Sequence, residues 1–378
     1  MSESSTQESS RLLTGDRPTG PLHLGHLVGT LRNRVQLQHR YAGYFIIADL
    51  HMLTTKNARM DIDAVDDNAR GLVLDALSAG LDPGSVTFYL QSAIPELHEL
   101  SGLLQSLVTV SRLERLPALK EMARDSGQEM SLALLGYPVL QSADILAVRA
   151  HAVPVGKDNY AFVEIAREIA RRFNSRYLGS LGDVFPVPEI IPGEVPTLVG
   201  TDGKRKMSKS LGNAIALRDT ESDVRRKVKG MYTDPNRITA DTPGTIDGNP
   251  VFTYLDTFAP DTRTVTAMKD RYRAGTIGDA EVKNYLTTVL NDVLDPIRER
   301  RLLFEASGFV DELIERGTRQ VRAETQDTVL AMRKAMGLTG VWNRIHRRAE
   351  RRAGASFVED RPQHSHRSHC DTPPHTAS

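Results

Sequence analysis

From Arg11 to about residue 215, short apolar runs alternate with longer amphipathic stretches, and this alternation restricts the possible folds more than any other feature. Runs at 11–14, 44–49 (YFIIAD), 87–91 (TFYLQ) and 150–155 have strand length. Stretches at 23–39, 61–79, 97–110, 131–147 and 158–173 have helical spacing. Strands separated by helices are joined by crossovers, which yields a parallel sheet covered by helices. Residues 11–215 therefore read as an α/β domain. Strand signals then stop. Segments 219–230, 262–274, 279–304 and 310–336 are helical in period, with Val282, Tyr285, Val289, Val293 and Ile297 on one face. Pro296 predicts a kink there. Residues 216–345 thus form a mostly helical part. Residues 1–10 read as a disordered lead-in, and 346–378, polar and rich in Pro and His, as a disordered tail.

The length of 378 residues fits two or three domains. The 48 Lys+Arg balance 48 Asp+Glu, which excludes a uniformly basic nucleic-acid glove and an acidic solvating tail. The balance hides a split. Residues 1–200 hold 18 basic and 23 acidic side chains, whereas 201–378 hold 30 and 25. The one cysteine, Cys370, excludes an intrachain disulfide and a cysteine-bound cluster. No apolar run reaches the ~18–20 residues of a membrane helix, and no secretory leader opens the chain. The expected compartment is the cytoplasm, with no membrane partner. In the tail His364, His366, His369 and Cys370 could ligate a metal, but a solvated His-rich segment explains them as well, and no metal site is expected.

Two segments carry chemistry. In GDRPTGPLHLGH (15–26), between the first strand and first helix, His23 and His26 are spaced i, i+3 and share the first helical turn. A helix N-terminus attracts phosphate through its free N–H groups, and Gly25 leaves room for a flat ligand group. Taken alone, the two histidines describe a helix start equally well. In GTDGKRKMSKSLGN (200–213), Lys204, Arg205, Lys206 and Lys209 fall within six positions between Gly203 and Gly212. A loop of this kind can close over pyrophosphate. Alone, it also reads as a solvated basic loop.

Together, HLGH and KMSKS resemble the paired signature of class I aminoacyl-tRNA synthetases. ADLHMLT (48–54), RLERLPALKE (112–121), YPVLQSADIL (137–146), VPVGKDN (153–159) and GNPVF (248–252) most resemble the tryptophanyl members. That resemblance implies a Rossmann-like catalytic domain followed by a helical anticodon-binding region. It implies formation of an aminoacyl-adenylate from ATP with Mg²⁺, then transfer to tRNA, in a homodimer. It assigns His23, His26, Lys206 and Lys209 to catalysis. Arg17, Thr19, Gly25, Gly156, Asp158, Met207 and Ser208 would bind ATP.

Tyr137, Gln141 and Asp144 are spaced i, i+4, i+7 and lie on one helix face among apolar neighbours. Indole N–H only donates, so a carboxylate suits it. By resemblance Asp144 reads the indole, while Tyr137 and Gln141 face the substrate ammonium. The same arrangement resembles tyrosyl-tRNA synthetases, where the Asp meets a phenol, and tyrosine is the alternative. Leu13 stands where tyrosine enzymes commonly place a Tyr, and an apolar residue there suits an indole edge. Arg17 stands where many relatives have Gln, Gln141 where many have Met, and Lys157-Asp158-Asn159 where many have Glu-Asp-Gln. These departures resemble a divergent second type of bacterial tryptophan enzyme, and a synthetase-like paralogue with another role is the third reading. Asp49 and His51 could line the pocket or simply close the second strand.

Overall fold

In the computed structural model, β1 (Arg11–Asp16), β2 (Ala42–Ile47), β3 (Val86–Leu90), β4 (Ala152–Val155) and β5 (Glu189–Pro192) form one sheet in the order β3-β2-β1-β4-β5. All four pairings are parallel. The structure describes residues 10–127, 129–178, 183–193, 198–208, 211–234, 237, 239, 241–305 and 308–359. The chain order reverses between β1 and β4. An open parallel sheet leaves a crevice at such a point, at the carboxyl ends of its strands. Four strands are those the sequence predicts; β5 is an addition. It is short, ends on a proline and is only partly covered, so it lacks the apolar run of a buried strand.

The predicted helix at 131–147 is two helices, Leu132–Leu135 and Tyr137–Ala147, separated at Gly136 with Pro138 in the new first turn. The Asp279–Phe304 helix runs through Pro296 unbroken. Its Val282, Leu286, Val289 and Leu290 share one hydrophobic cluster with Leu72, Val73 and Leu77 of the Val65–Ser78 helix and with Phe45 and Phe88 of the sheet. Each such buried side chain contributes roughly 1.5–3 kcal/mol. The sheet and the helices that follow 215 therefore share a core, and the chain up to Val329 is one compact unit.

A buried ion pair also joins the two parts. Asp75 Oδ2 accepts the Leu22 N–H at 2.7 Å, and Oδ1 accepts from Arg301 Nη1 at 2.5 Å. Leu22 lies in the loop after β1, so a residue of the long helix helps fix the approach to His23. The β3 edge is closed by the Phe309–Ala335 helix. The Leu90 N–H donates to Thr318 Oγ1 at 3.0 Å, and Gly317 lies so near the strand that a Cβ would sit 2.0 Å from the Phe88 carbonyl oxygen. A covered edge cannot recruit a foreign strand.

A second unit begins at Leu330. There Gly337 turns the chain with φ +73°, and the Leu338–Glu359 helix follows. The tail predicted from 346 is thus helical as far as Glu359. Its Arg, Ala and Glu are strong helix formers, a signal that polar composition hides. Residues 1–9 and 360–378, with His364, His366, His369 and Cys370, lie outside the described residues. Among those described, no helix is long and apolar enough to cross a membrane.

Candidate active site

The turn after β1 feeds His23, which caps the helical run starting at Leu24. His26 Nδ1 accepts the His23 backbone N–H at 3.2 Å, and the two rings lie 3.9 Å apart. With Nδ1 so engaged, a neutral His26 carries its proton on Nε2 and can donate there. The next turn, Leu27–Leu31, is a π-helix, a local widening found often at functional sites. At Gly25 a Cβ would lie 3.0 Å from two His23 ring atoms and 3.7 Å from Met207 Sδ. A glycine here leaves room for the His23 ring, with Met207 at ordinary contact distance.

Backbone pairing fixes that approach. Leu24 N–H donates to the Ile215 carbonyl at 3.0 Å and Leu217 N–H to the Leu22 carbonyl at 2.9 Å. Met207 N–H donates to the Leu198 carbonyl, and Ser208 N–H to Asn213 Oδ1 at 2.8 Å. The buried Asn213 also donates from Nδ2 to Asp202 and, at 3.4 Å, to the Lys206 carbonyl. One amide therefore shapes the turn that carries the lysines. Lys206 Nζ reaches to 3.8 Å from Asp158 Oδ2, with both side chains largely exposed. Asp158 follows Gly156 at the end of β4, so the loop lies over the crevice between β1 and β4. On the other flank Arg17 donates to Thr55 Oγ1 at 3.0 Å, and Thr19 N–H closes a turn on the Arg17 carbonyl. Lys209 lies outside the described residues.

The Tyr137–Ala147 helix supplies the second half. Asp144 is almost wholly buried. Its Oδ2 lies 2.8 Å from His51 Nε2, and Gln91 Nε2 lies 2.9 Å from both carboxylate oxygens. Burial pushes the Asp144 carboxyl up, opposed by the His51 and Gln91 hydrogen bonds. The Tyr137 ring packs 4.2 Å from His51 and 5.4 Å from Phe162, and burial pushes its phenol up, so it stays a donor. Two polar atoms here are buried without a partner, Gln141 Oε1 and His51 Nδ1; Thr14 Oγ1 of β1 is another. Leu13 is buried in the same strand.

The structure thus brings His23, His26, Gly25, Met207 and the 215–217 segment together, and Lys206 with Asp158. It places Tyr137 against His51 and His51 against Asp144. Three residues complete these arrangements without having been predicted: His51, left open between two roles; Gln91, at the end of β3; and Asn213. Each acts on a residue distant or hidden in sequence. An Asp–Gln or Asp–His pair 53 or 93 positions apart, joining a helix to segments that follow two strands, is visible only once the sheet order is known.

Comparison with known proteins agrees with this architecture. The family model described as tRNA synthetases class I (W and Y) matches residues 5–295. A tryptophan--tRNA ligase from Treponema pallidum is 52% identical over 331 residues, covering 87% of this chain and 97% of that protein. One from Borreliella burgdorferi is 48% identical over 344 residues, covering 90% and 97%. A crystal structure of tryptophanyl-tRNA synthetase from Campylobacter jejuni, complexed with ADP and tryptophane, superposes with a TM-score of 0.75 at 31% identity, covering 87% of this chain and 100% of that one. The family model spans most of the chain and the relatives match it nearly end to end, and the chain belongs to the class I tRNA synthetases of the tryptophan and tyrosine family.

Proposed function

We propose that the chain activates tryptophan with ATP and transfers it to tRNA. The tryptophan carboxylate attacks the α-phosphorus, the bond to the bridging oxygen breaks, and pyrophosphate leaves from tryptophanyl-adenylate. The tRNA 3′-terminal hydroxyl then displaces AMP. Neither step needs a protein nucleophile; positioning and charge stabilisation supply the rate. His26 Nε2–H and His23 are assigned to the triphosphate, with Gly25 as the surface for the nucleotide. Lys206 and Lys209 stabilise charge on the leaving pyrophosphate. Arg17, Thr19, Gly156, Asp158, Met207 and Ser208 line the rest of the ATP site. Mg²⁺ would accompany ATP, supplying charge neutralisation at the phosphates.

The observation that carries the amino-acid assignment is the buried Asp144 carboxylate, an acceptor supported by two donors and set beside Tyr137 through His51. A donor-only indole N–H is its natural complement. The unpartnered Gln141 Oε1 suits the substrate ammonium, which brings only donors. Leu13, apolar and buried, supports indole over a phenol. The identity to tryptophan--tRNA ligases points the same way. The test is amino-acid-dependent ATP–pyrophosphate exchange. Tryptophan is expected to drive exchange; exchange with tyrosine alone overturns the assignment, and exchange with neither favours a paralogue.

The helices between 216 and 345 are proposed to form the tRNA anticodon-binding region. A cytoplasmic homodimer follows from the family reading, because ATP and tRNA meet there. Light scattering that returned a monomer at working concentration would remove the dimer.

A further inference from the structure

Gln91 is fully buried at the end of β3, and neither the signature motifs nor the helix face of Asp144 includes it. Its amide is held at both ends. Oε1 accepts two backbone N–H groups at the start of the Asp49–Leu53 helix, Leu50 at 3.1 Å and His51 at 3.3 Å. Nε2 is 2.9 Å from each oxygen of Asp144. Turning the amide over would set its NH₂ against two N–H groups and its oxygen against a carboxylate. The orientation is therefore fixed by its partners.

This bridge sets the state of the carboxylate. An ionised carboxylate offers about four acceptor directions on two oxygens. Oδ2 receives His51 Nε2 and Gln91 Nε2, while Oδ1 receives only Gln91. We infer that Gln91 is a positioning residue for amino-acid recognition, holding Asp144 so that Oδ1 keeps the acceptor direction that reads a donor-only N–H. The inference rests on the proposal that Asp144 reads the indole, and it adds which oxygen does so and what orients it. The same bridge ties Asp144 to the backbone that carries His51, so the base of the pocket and the ring beside Tyr137 move together.

The test compares tryptophan with β-(3-benzothienyl)alanine, in which sulfur replaces the indole N–H, by kcat/KM in pyrophosphate exchange. The parent is expected to prefer tryptophan by up to about 10⁴-fold, as sites built around a buried partner do. Asp144→Ala is expected to erase most of that preference. Gln91→Leu is expected to reduce it about tenfold or more, the effect of a lost hydrogen bond to a charged group, with KM for ATP unchanged. Survival of the preference in Asp144→Ala overturns the reading of Asp144 itself. Loss in Asp144→Ala with full preference in Gln91→Leu overturns the role of Gln91 alone.

Gln91→Glu keeps the argument testable if Gln91→Leu does not fold. Protonated, the new carboxyl can still donate to Asp144 and accept the two N–H groups. Ionised, it repels Asp144. The groups around Asp144 are His51, Asp49, Tyr89 and Tyr137, and none of them changes in this variant. Its kcat/KM for tryptophan is expected to fall relative to that of the parent as pH rises. Parallel profiles for variant and parent overturn the inference.

Discussion

Around Asp144 the side chains lie inside the protein: the His51 imidazole and the Gln91 amide are buried and both hydrogen bond to its carboxylate. Around Lys206 the opposite holds. Its side chain is two-thirds exposed, and the Asp158 carboxylate, 3.8 Å away, is similarly exposed. What is fixed there is backbone, through Asn213 and the pairing of 22–24 with 215–217. On the proposed reading, the amino-acid pocket is built from buried, mutually bonded side chains, whereas the Lys206 side chain stands exposed on a loop shaped by Asn213. A side chain meant to discriminate must be rigid. One that follows charge onto a departing pyrophosphate gains from reach.

The largest expected effect tests the rigid side. Asp144→Ala should lower kcat/KM for tryptophan by about 10⁴-fold, since a site built to receive an N–H loses that much when the pair is broken. KM for ATP should hardly move. Equal losses for both substrates would mean that Asp144 is merely structural. The pH behaviour follows in sign. Burial first, against the His51 and Gln91 hydrogen bonds, leaves the Asp144 carboxyl above the usual carboxylate range. A carboxyl raised by folding contributes stability at low pH and loses it as pH rises through the folded value. Recognition runs the other way, because only the ionised form is acceptor-only. So kcat/KM for tryptophan should rise with pH through a range above that of ordinary carboxylates, while this group's share of folding stability declines. A tryptophan profile flat throughout that range would count against an ionising Asp144.

Next comes the exposed side. Lys206→Ala should cost about 2.7–4 kcal/mol in the rate of adenylate formation, the typical price of one donor to a transition-state charge. Single-turnover kinetics should show the loss in the rate constant and not in tryptophan affinity. A loss confined to affinity would place Lys206 in ground-state binding. Asn213→Ala should act on the same step less strongly, by roughly 1–3 kcal/mol, because it releases the buried partners of one amide while the cation remains.

Much of this was legible in the sequence, and the limits have a physical cause. Four strands, the helical second part and the two signature segments are local patterns, readable from period and turn residues. The face shared by Tyr137, Gln141 and Asp144 follows from helical spacing alone. Gln91 and His51 are different. They matter because β2 and β3 pair in parallel register, from Gly43 with Val86 to Ile47 with Leu90, so both chain ends emerge beside the Tyr137–Ala147 helix. No periodicity encodes that. β5 was missed because its edge position removes the need for an apolar run. The helix beyond 346 has the polar composition of a solvated tail, which hides its helix-forming Arg, Ala and Glu.

The smallest effect bears on the comparison most directly. Asp158→Asn removes a charge partner of Lys206 in an exposed setting, and exposed pairs are worth about 0–1 kcal/mol. Urea denaturation should therefore change by less than about 1 kcal/mol, and less still at high salt, where exposed charges are screened. If the contact simply rests Lys206 near the crevice, tryptophan affinity should also be unchanged. A stability loss well beyond that range would show Lys206 and Asp158 acting as a fixed structural pair. The loop would then be prepared in the same way as the pocket around Asp144, and the contrast between the two halves of the site would fail.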